Sequence, residues 1–353
     1  MLLKEMFEFS PKSKRNAAFG QKTGRFPFFT SSNIVERFVN TPDYSGEYLI
    51  IGDGGTGNCK YYKGEFSVSD HNYLLQPKKG TNALCVKYFL MKDGYKVLND
   101  GFKGVGIKNV SKKYIESIDY AYNKNFSENE IVASLQRVES LIDEKDKQIT
   151  ELDSLVKSRF IEMFKEWNLS FQKENWIKLS DLTNIYTGTT PKTEIEEYWN
   201  GLIPWVTPAE LDKNSYLITD TERHITEKGQ KSKSLTMMPI GTVLLSTRAP
   251  IGKVAICGVP MTCNQGFKNF ECLEKLHPTY LFYLLKLNND WLQTQGTGTT
   301  FKEISKSKAG NIRIPVPTMS DQKDFAQFYN LVDKSRFDQT KKKDRISPIS
   351  DRI

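Results

Sequence analysis

The stretch SENEIVASLQRVESLIDEKDKQITELDSLVKSRFIEMFKE, residues 127–166, decides how the rest of the chain is read. It holds no Gly or Pro and is rich in helix formers. Ile131, Leu135, Val138, Ile142, Lys145, Ile149, Leu152, Val156, Arg159 and Met163 follow one another at alternating steps of four and three. A heptad sustained over the whole stretch predicts a coiled-coil helix, because that spacing keeps one seam facing a partner. Ser127 followed by Glu130 supplies an N-cap and capping box. From Ser127 to Phe164 the helix would run roughly 57 Å at 1.5 Å per residue. Its stripe cannot be buried alone and needs a second helix, from this chain or another.

A candidate lies near the C-terminus, in SDQKDFAQFYNLVDKSRFDQTKKK (320–343). Phe325, Phe328 and Val332 stand at helical spacing, and DKSRF (333–337) echoes VKSRF (156–160). The convincing run covers Asp321 to Phe337. From about 341 the text loses its apolar stripe and carries Pro348, which reads as a shortened helix with a frayed tail. An antiparallel pair with the 320–340 region would bury Leu135, Ile142 and Ile149. The rest of the 131–163 stripe would stay open for another protein, or for self-association.

Outward from the spacer, both flanks alternate short apolar runs with Gly, Pro and Asn turns, which predicts mixed α/β bodies. They also repeat one another. YLIIGDGGTGNCKYY (48–62) parallels TVLLSTRAPIGKVAI (242–256), and ALCVKYFLMK (83–92) parallels TYLFYLLKLN (279–288). Asp70 and Asn264, Leu90 and Leu284, Gly104 and Gly298, Lys108 and Lys302, and Ile118 and Ile312 share one separation; Gly57 and Gly252 differ from it by a single residue. The fold class is therefore α/β, with two similar bodies (1–126 and 166–318) separated by coiled-coil-forming helices (127–165 and 319–353).

The chain has 353 residues, enough for two or three cores. Five cysteines without a CxxC pair and three histidines give no metal-site spacing. HExxH, GxSxG and GxxxxGK[ST] are absent. The opening residues have no secretion-signal pattern and no run approaches a membrane span, so the expected compartment is cytoplasmic. Net charge is +7 over residues 1–126, −3 over 127–165 and +4 over 166–353. Two basic bodies flanking an acidic spacer suggest a polyanion partner. A spacer of ~57 Å would cover about 17 base pairs at 3.4 Å each, so two diverged bodies could read two separated half-sites. A non-DNA scaffold, or a DNA-modifying enzyme acting alone, are the other classes.

These residues resemble the specificity subunit of type I restriction–modification systems. The likeness is carried in the second body by WIKLSDLTNIYTGTTPK (176–192), IPWVTPAEL (203–211), LLSTRAPIGKVAI (244–256), CNQGFKNF (263–270) and GTGTTFKEISKSKAGNIRIPVP (296–317). LVKSRFIEMF (155–164) resembles the end of the family's central spacer. RFPFFTSSNIV (25–35), YLIIGDGGTGNCKYYKGEFSVSDHNYLL (48–75) and GVGIKNVSKKYIESI (104–118) resemble its first target recognition domain. The resemblance implies a non-catalytic subunit that binds double-stranded DNA at a split target and directs adenine methylation and restriction. It implies two modification subunits carrying S-adenosylmethionine, and restriction subunits using ATP and Mg, with no cofactor on this chain. Two departures stand out. The opening strand NWIKLSDL of the second body has no evident match at MLLKEMFEFSPKSK, which reads as N-terminal trimming, and the C-terminal helix looks short. Both raise the alternative of a rearranged, self-pairing subunit.

Candidate DNA contacts are loop residues able to bond phosphates or base edges. In the first body they are Thr30, Ser31, Ser32, Asn33 and Lys108. In the second they are Thr207, Lys213, Asn214, Tyr216, Lys231, Arg248 and Lys302. Asn264-Gln265 and Asp70-His71 suit either base pairing or a hydrogen-bonding turn, and their recurrence favours the turn. Trp199 and Trp205 read as core packing. Ile131, Leu135, Val138, Ile142, Ile149, Leu152, Val156 and Met163 form the helix-pairing or partner face.

Overall fold

The computed structural model describes residues 1–32, 34–106, 108–121, 125–212, 214–248, 250–298 and 302–352, with side chains through Ile346. The chain divides into two compact units, Met1–Ile149 with Asp338–Ile353, and Thr150–Phe337.

In the first unit, apolar alternation builds β1 (Phe7–Phe9), β2 (Phe26–Phe29), β3 (Phe38–Val39), β4 (Tyr44–Gly52), β5 (Cys59–Val68) and β6 (Asn72–Pro77) into one sheet, ordered β1-β6-β4-β5-β2-β3. Ladders are antiparallel except β2 with β5. Strands β7 (Phe102–Lys103) and β8 (Asn109–Val110) form a small hairpin. Helix Ala83–Asn99, capped by the Asn82 side chain, covers one face, where Leu49, Ile51, Leu75, Val86 and Leu90 close the core.

The second unit adds β9 (Ile177–Lys178), β10 (Thr183–Tyr186), β11 (Trp199–Val206), β12 (Leu217–Ile218), β13 (His224–Ile225), β14 (Val243–Leu245), β15 (Val254–Cys257), β16 (Thr262–Cys263), β17 (Asn269–Cys272) and β18 (Arg313–Ile314). These form sheets ordered β10-β17-β14-β15-β12 and β13-β11-β16, and the pair β9-β18. Helix Pro278–Leu287, capped by His277, packs on them.

The repeat holds at the level of individual backbone bonds. Leu49↔Tyr61 and Leu49↔Leu75 in the first unit become Val243↔Ile256 and Val243↔Phe270 in the second. The parallel pairs Phe28↔Ser67 and Phe29↔Val68 become Trp205↔Thr262 and Val206↔Cys263. Leu3 N–H donates to Ile118 O at 3.0 Å, and Leu179 N–H to Ile312 O at 2.8 Å. This last pair gives the opening residues a structural counterpart in the second unit from Leu2 and Lys178 onward. Helical turn Leu3–Met6 matches Leu179–Leu182, and bridge Leu2↔Asp119 matches Lys178↔Arg313. Buried Leu3 and Met6 do the work of Leu179 and Leu182 without textual identity. Two sequence anchors shift by one. Ser69, not Asp70, matches Asn264, since each N–H donates to the strand residue Phe29 or Val206. The caps Asn82 and His277 likewise pair Phe89, not Leu90, with Leu284.

The spacer helix runs Glu128–Met163. Its capping box forms as expected, with Ser127 N–H donating to Glu130 Oε2 at 2.9 Å and Glu130 N–H to Ser127 Oγ at 3.3 Å. In the first unit Ile131 and Val132 lie against the sheet-and-helix core. Glu139 is not an idle surface charge: it accepts from Tyr88 Oη at 2.7 Å and pairs with Lys87 at 3.1 Å. In the second unit Val156, Phe160 and Phe164 join Tyr280, Tyr283, Phe325, Tyr329 and Val332 in a single core. Ring centroids of Phe160 and Phe325 are 4.9 Å apart.

The C-terminal helix spans Met319–Arg352, past the expected fraying point near 341. It lies antiparallel to the spacer. Within the second unit Phe325 meets Phe160 and Arg336 meets Asp153 at 3.1 Å; within the first, Lys343 meets Asp146 at 2.6 Å. Polar pairs carry the later turns, so apolar content understated the helix. The 320–340 region accordingly packs against residues 153–164 rather than Leu135. Leu135 and Val156 are buried, and Ile131, Val138, Ile142, Ile149, Leu152 and Met163 are half-buried. The broad open stripe expected from a short partner helix is thus largely covered, and with it goes the main reason for a self-pairing form. Leu155 and Leu141 remain exposed.

The aromatic contact should dominate stability. Phe160→Ala, at a fully buried site, is expected to cost about 3–5 kcal/mol. Leu155→Ala, half exposed, should stay within about 0.5 kcal/mol. Urea unfolding of the two variants checks the ordering.

Candidate nucleic-acid interface

In each unit the same five segments meet at one rim of the sheet. The first unit contributes residues 12–15, 30–32, 53–58, 69–71, 104–106 and 108–109. Asp70 N–H donates to Arg15 O at 2.7 Å, Ser69 N–H to Phe29 O at 2.9 Å, Asp53 N–H to His71 O at 3.2 Å and Gly55 N–H to Lys108 O at 3.0 Å. The second contributes, among its described residues, 188–192, 207–212, 214, 247–248, 250–253, 264–268, 297–298 and 302–304. Asn264 N–H donates to Val206 O at 3.1 Å, Thr247 N–H to Gly266 O at 2.8 Å and Ile304 N–H to Thr247 O at 3.0 Å. The bond from Asp53 to His71 and that from Thr247 to Gly266 occupy the same place in the repeat. Gly104 and Gly298 both take positive φ, 141° and 120°, which explains a glycine at that turn in each copy.

The charged clusters on this common frame differ. In the first rim the buried carboxylate of Asp53 is held by Lys12 and by His71 Nδ1 at 3.1 Å. Lys60 Nζ donates to Thr30 O at 3.1 Å and Asn58 Oδ1 at 3.0 Å. Burial without a carboxylate partner pushes its ammonium down to about 8. In the second rim Glu303 accepts from Lys268 at 3.1 Å and forms an ion pair with Arg248 at 3.7 Å. Lys253 Nζ donates to Pro208 O at 2.8 Å, and Thr190 Oγ1 to Gln265 Oε1 at 2.7 Å.

Most of the candidate contacts fall on these rims. Thr30, Ser31 and Ser32 open the loop after β2, and Thr207 opens the equivalent loop after β11, where its N–H and hydroxyl both bond Glu210. Lys108 and Lys302 are exposed at matching positions. Asn214 is exposed on the second rim, its N–H donating to Asp212 at 2.7 Å. Arg248 is half-buried beside Glu303. Asn33 and Lys213 lie outside the described residues. Lys231 sits on the short helix Glu227–Ser232, exposed and facing Glu227 at 3.4 Å.

Tyr216 is a correction. It is only 8% exposed, its hydroxyl bonds Thr279 and Asn330, and its ring packs on Tyr329 at 4.7 Å. Its apolar ring closes the second core and offers nothing to a ligand. Asn264 is spent locally, accepting from Gly266 N–H at 2.8 Å, as the turn reading expects. Sequence reasoning missed Lys60, Glu303 and Arg223, whose roles depend on partners far along the chain. Nothing in the repeat signals Lys60, whose place in the second unit is taken by Ala255.

Two copies of one α/β frame, each ending in a polar rim with its own side chains and each packed on long helices, make this an internally duplicated protein. The chain belongs to the family described as type I restriction modification DNA specificity domain, whose profile matches residues 1–153 and 173–346. It is 39% identical over 184 residues to the type I restriction enzyme MjaIX specificity subunit of Methanocaldococcus jannaschii, covering 51% of this chain and 43% of that protein. It is 26% identical over 215 residues to the EcoR124I/EcoR124II specificity subunit of Escherichia coli, covering 58% and 52%. The matched region thus spans about half the length of these curated relatives. The S subunit of a type I system from M. genitalium shares the fold, with TM-score 0.63 at 15% identity over 99% of this chain and 93% of that one. No described helix is long and apolar enough to cross a membrane.

Lys60 has a measurable signature. Its folded pKa lies below the unfolded value of 10.5, so its charging penalty is complete below pH 8 and is relieved as pH rises toward 10.5. Wild-type stability should therefore gain over that window relative to Lys60→Met. Chemical denaturation of both at pH 7.5, 8.5 and 9.5 checks it; parallel curves would refute the burial effect.

Proposed function

We propose that this chain is the sequence-reading subunit of a type I restriction–modification complex. Each rim takes one half of a split double-stranded DNA target. The single observation that carries this reading is the twice-built rim, where a backbone frame is kept bond for bond while the charged cluster on it has changed, from Asp53 with Lys12 and His71 to Glu303 with Lys268 and Arg248. A scaffold has no use for two rims charged so differently; a reader of two different half-sites requires it.

In this reading the chain selects and its partners react. Two modification subunits, carrying S-adenosylmethionine, methylate adenine, and restriction subunits use ATP and Mg. The long helices, with Leu141, Leu155, Leu331 and Phe337 exposed on them, are suited to receive the modification subunits. The compartment in keeping with this role is the cytoplasm.

Selection from randomised duplexes, with the modification subunit present, tests the proposal. Two short base clusters separated by an unspecified gap are expected. Retention that is indifferent to sequence and vanishes by about 200 mM salt would sink it, because such binding rests on phosphates alone. Methyl transfer by the purified chain without partners would instead mark a solitary enzyme.

A further inference from the structure

The spacing between matched residues rises from 177 at Phe29 and Val206 to 194 at Leu49 and Val243, so the second unit carries 17 additional residues between those points. Beside that addition, β11 and β13, the counterparts of β2 and β3, build an aromatic platform. Trp199 and Ile203 both oppose Ile225, so residues 200–202 bulge out of the ladder. Asn200 takes φ 61°, and a Cβ on Gly201 would stand 2.4 Å from Ile225 O. The bulge sets Trp199 edge-on against Trp205, with centroids 5.1 Å apart at 85°. Both indole N–H groups are already used, by Lys192 O and Thr189 O.

Arg223 holds its guanidinium over this platform. Its guanidinium carbon is 3.5 Å from the Trp199 ring centroid. Its carbonyl accepts from Trp205 N–H at 3.0 Å and Thr221 Oγ1 at 2.7 Å, which holds the backbone. The neighbouring Glu222 N–H donates to Glu210 Oε2 at 2.8 Å, tying the segment to the Thr207 turn of the rim. Yet Arg223 is exposed, and no described carboxylate lies within ion-pairing distance of it. In the first unit the matching residue is Arg37, whose carbonyl accepts from Phe28 N–H at 2.8 Å and whose guanidinium donates to Gly20 O at 2.9 Å, while a different arginine covers the aromatic rings. Phe28 holds the place of Trp205, Phe19 packs on it at 6.1 Å, and Arg15 lies over Phe19 at 4.1 Å. There Arg15 is neutralised by Asp43 at 2.5 Å.

We propose that Arg223, stacked on Trp199, reads a guanine in the half-target taken by the second unit. The inference rests on the DNA-reading function proposed above. Stacking fixes the plane of the guanidinium and leaves its outer N–H edge free. Two parallel donors match O6 and N7 of guanine in the major groove. A lysine in this position would keep the charge and lose the fork.

The same duplex selection, run with the full chain and modification subunit, provides the test. Arg223→Ala and Arg223→Lys should each lose at least about tenfold of the preference for guanine at one position of one cluster, leaving the other cluster intact. A thermal midpoint close to wild type verifies folding of both. A uniform loss of affinity, with a salt slope reduced by about one, would make Arg223 a phosphate contact and overturn the proposal. Unchanged selectivity would overturn it as well. If wild type itself selects no clusters, the DNA-reading function falls together with this residue's role; clusters that survive in the variants unchanged reject Arg223 alone.

Discussion

The structure depends on main-chain hydrogen bonds that must be made wherever the backbone is buried. An orphaned buried N–H costs as much as a lost hydrogen bond, so the frame of each unit is specified by geometry rather than by residue type. That is why Leu3 can do what Leu179 does, and why Asp53 and Thr247 can present the same N–H to His71 and Gly266. The frame constrains the backbone and leaves the side chains at the rim free to change. Asp53 with Lys12 and His71 in one copy, and Glu303 with Lys268 and Arg248 in the other, are two solutions on one scaffold.

The helices solve a different problem. Neither could bury its stripe alone, and each does so twice over: against the other, and against the α/β core of its own unit. Phe160, Phe164 and Phe325 are as much part of the second unit's core as Tyr280 or Leu284. Glu139, held by Tyr88 and Lys87, gives the first unit a polar counterpart of that attachment. Acidic residues on the spacer thus have structural partners before any question of DNA arises.

How much of this could be read from the chain follows from the range of each interaction. The spacer helix was legible because heptad spacing and the Ser127–Glu130 box are local. The duplication was legible too, but only to within one residue around Ser69 and Phe89, where the turns differ in length. The C-terminal helix was underestimated because its later turns are held by pairs such as Lys343 with Asp146, which hydropathy does not register. Tyr216 looked like a loop residue since its neighbours are polar, while the groups that bury it, Thr279 and Tyr329, are more than sixty residues away. At the rims the residue types were legible and their pairings were not. Arg223 escaped notice because its aromatic support lies across a bulge.

The antiparallel helices are unlike at their two ends, and the difference has a kinetic meaning. Near Phe160 and Phe325 they are locked by close-packed rings, an attachment that salt does not weaken. Near Asp146 and Lys343 they are held by charges open to solvent, which ions screen within about 10 Å at 0.1 M. Amide protons along the pair should therefore exchange in a gradient, slowest beside the rings and fastest toward Arg352. Cells that change their internal ionic strength would alter the breathing of that one end while the other stays shut.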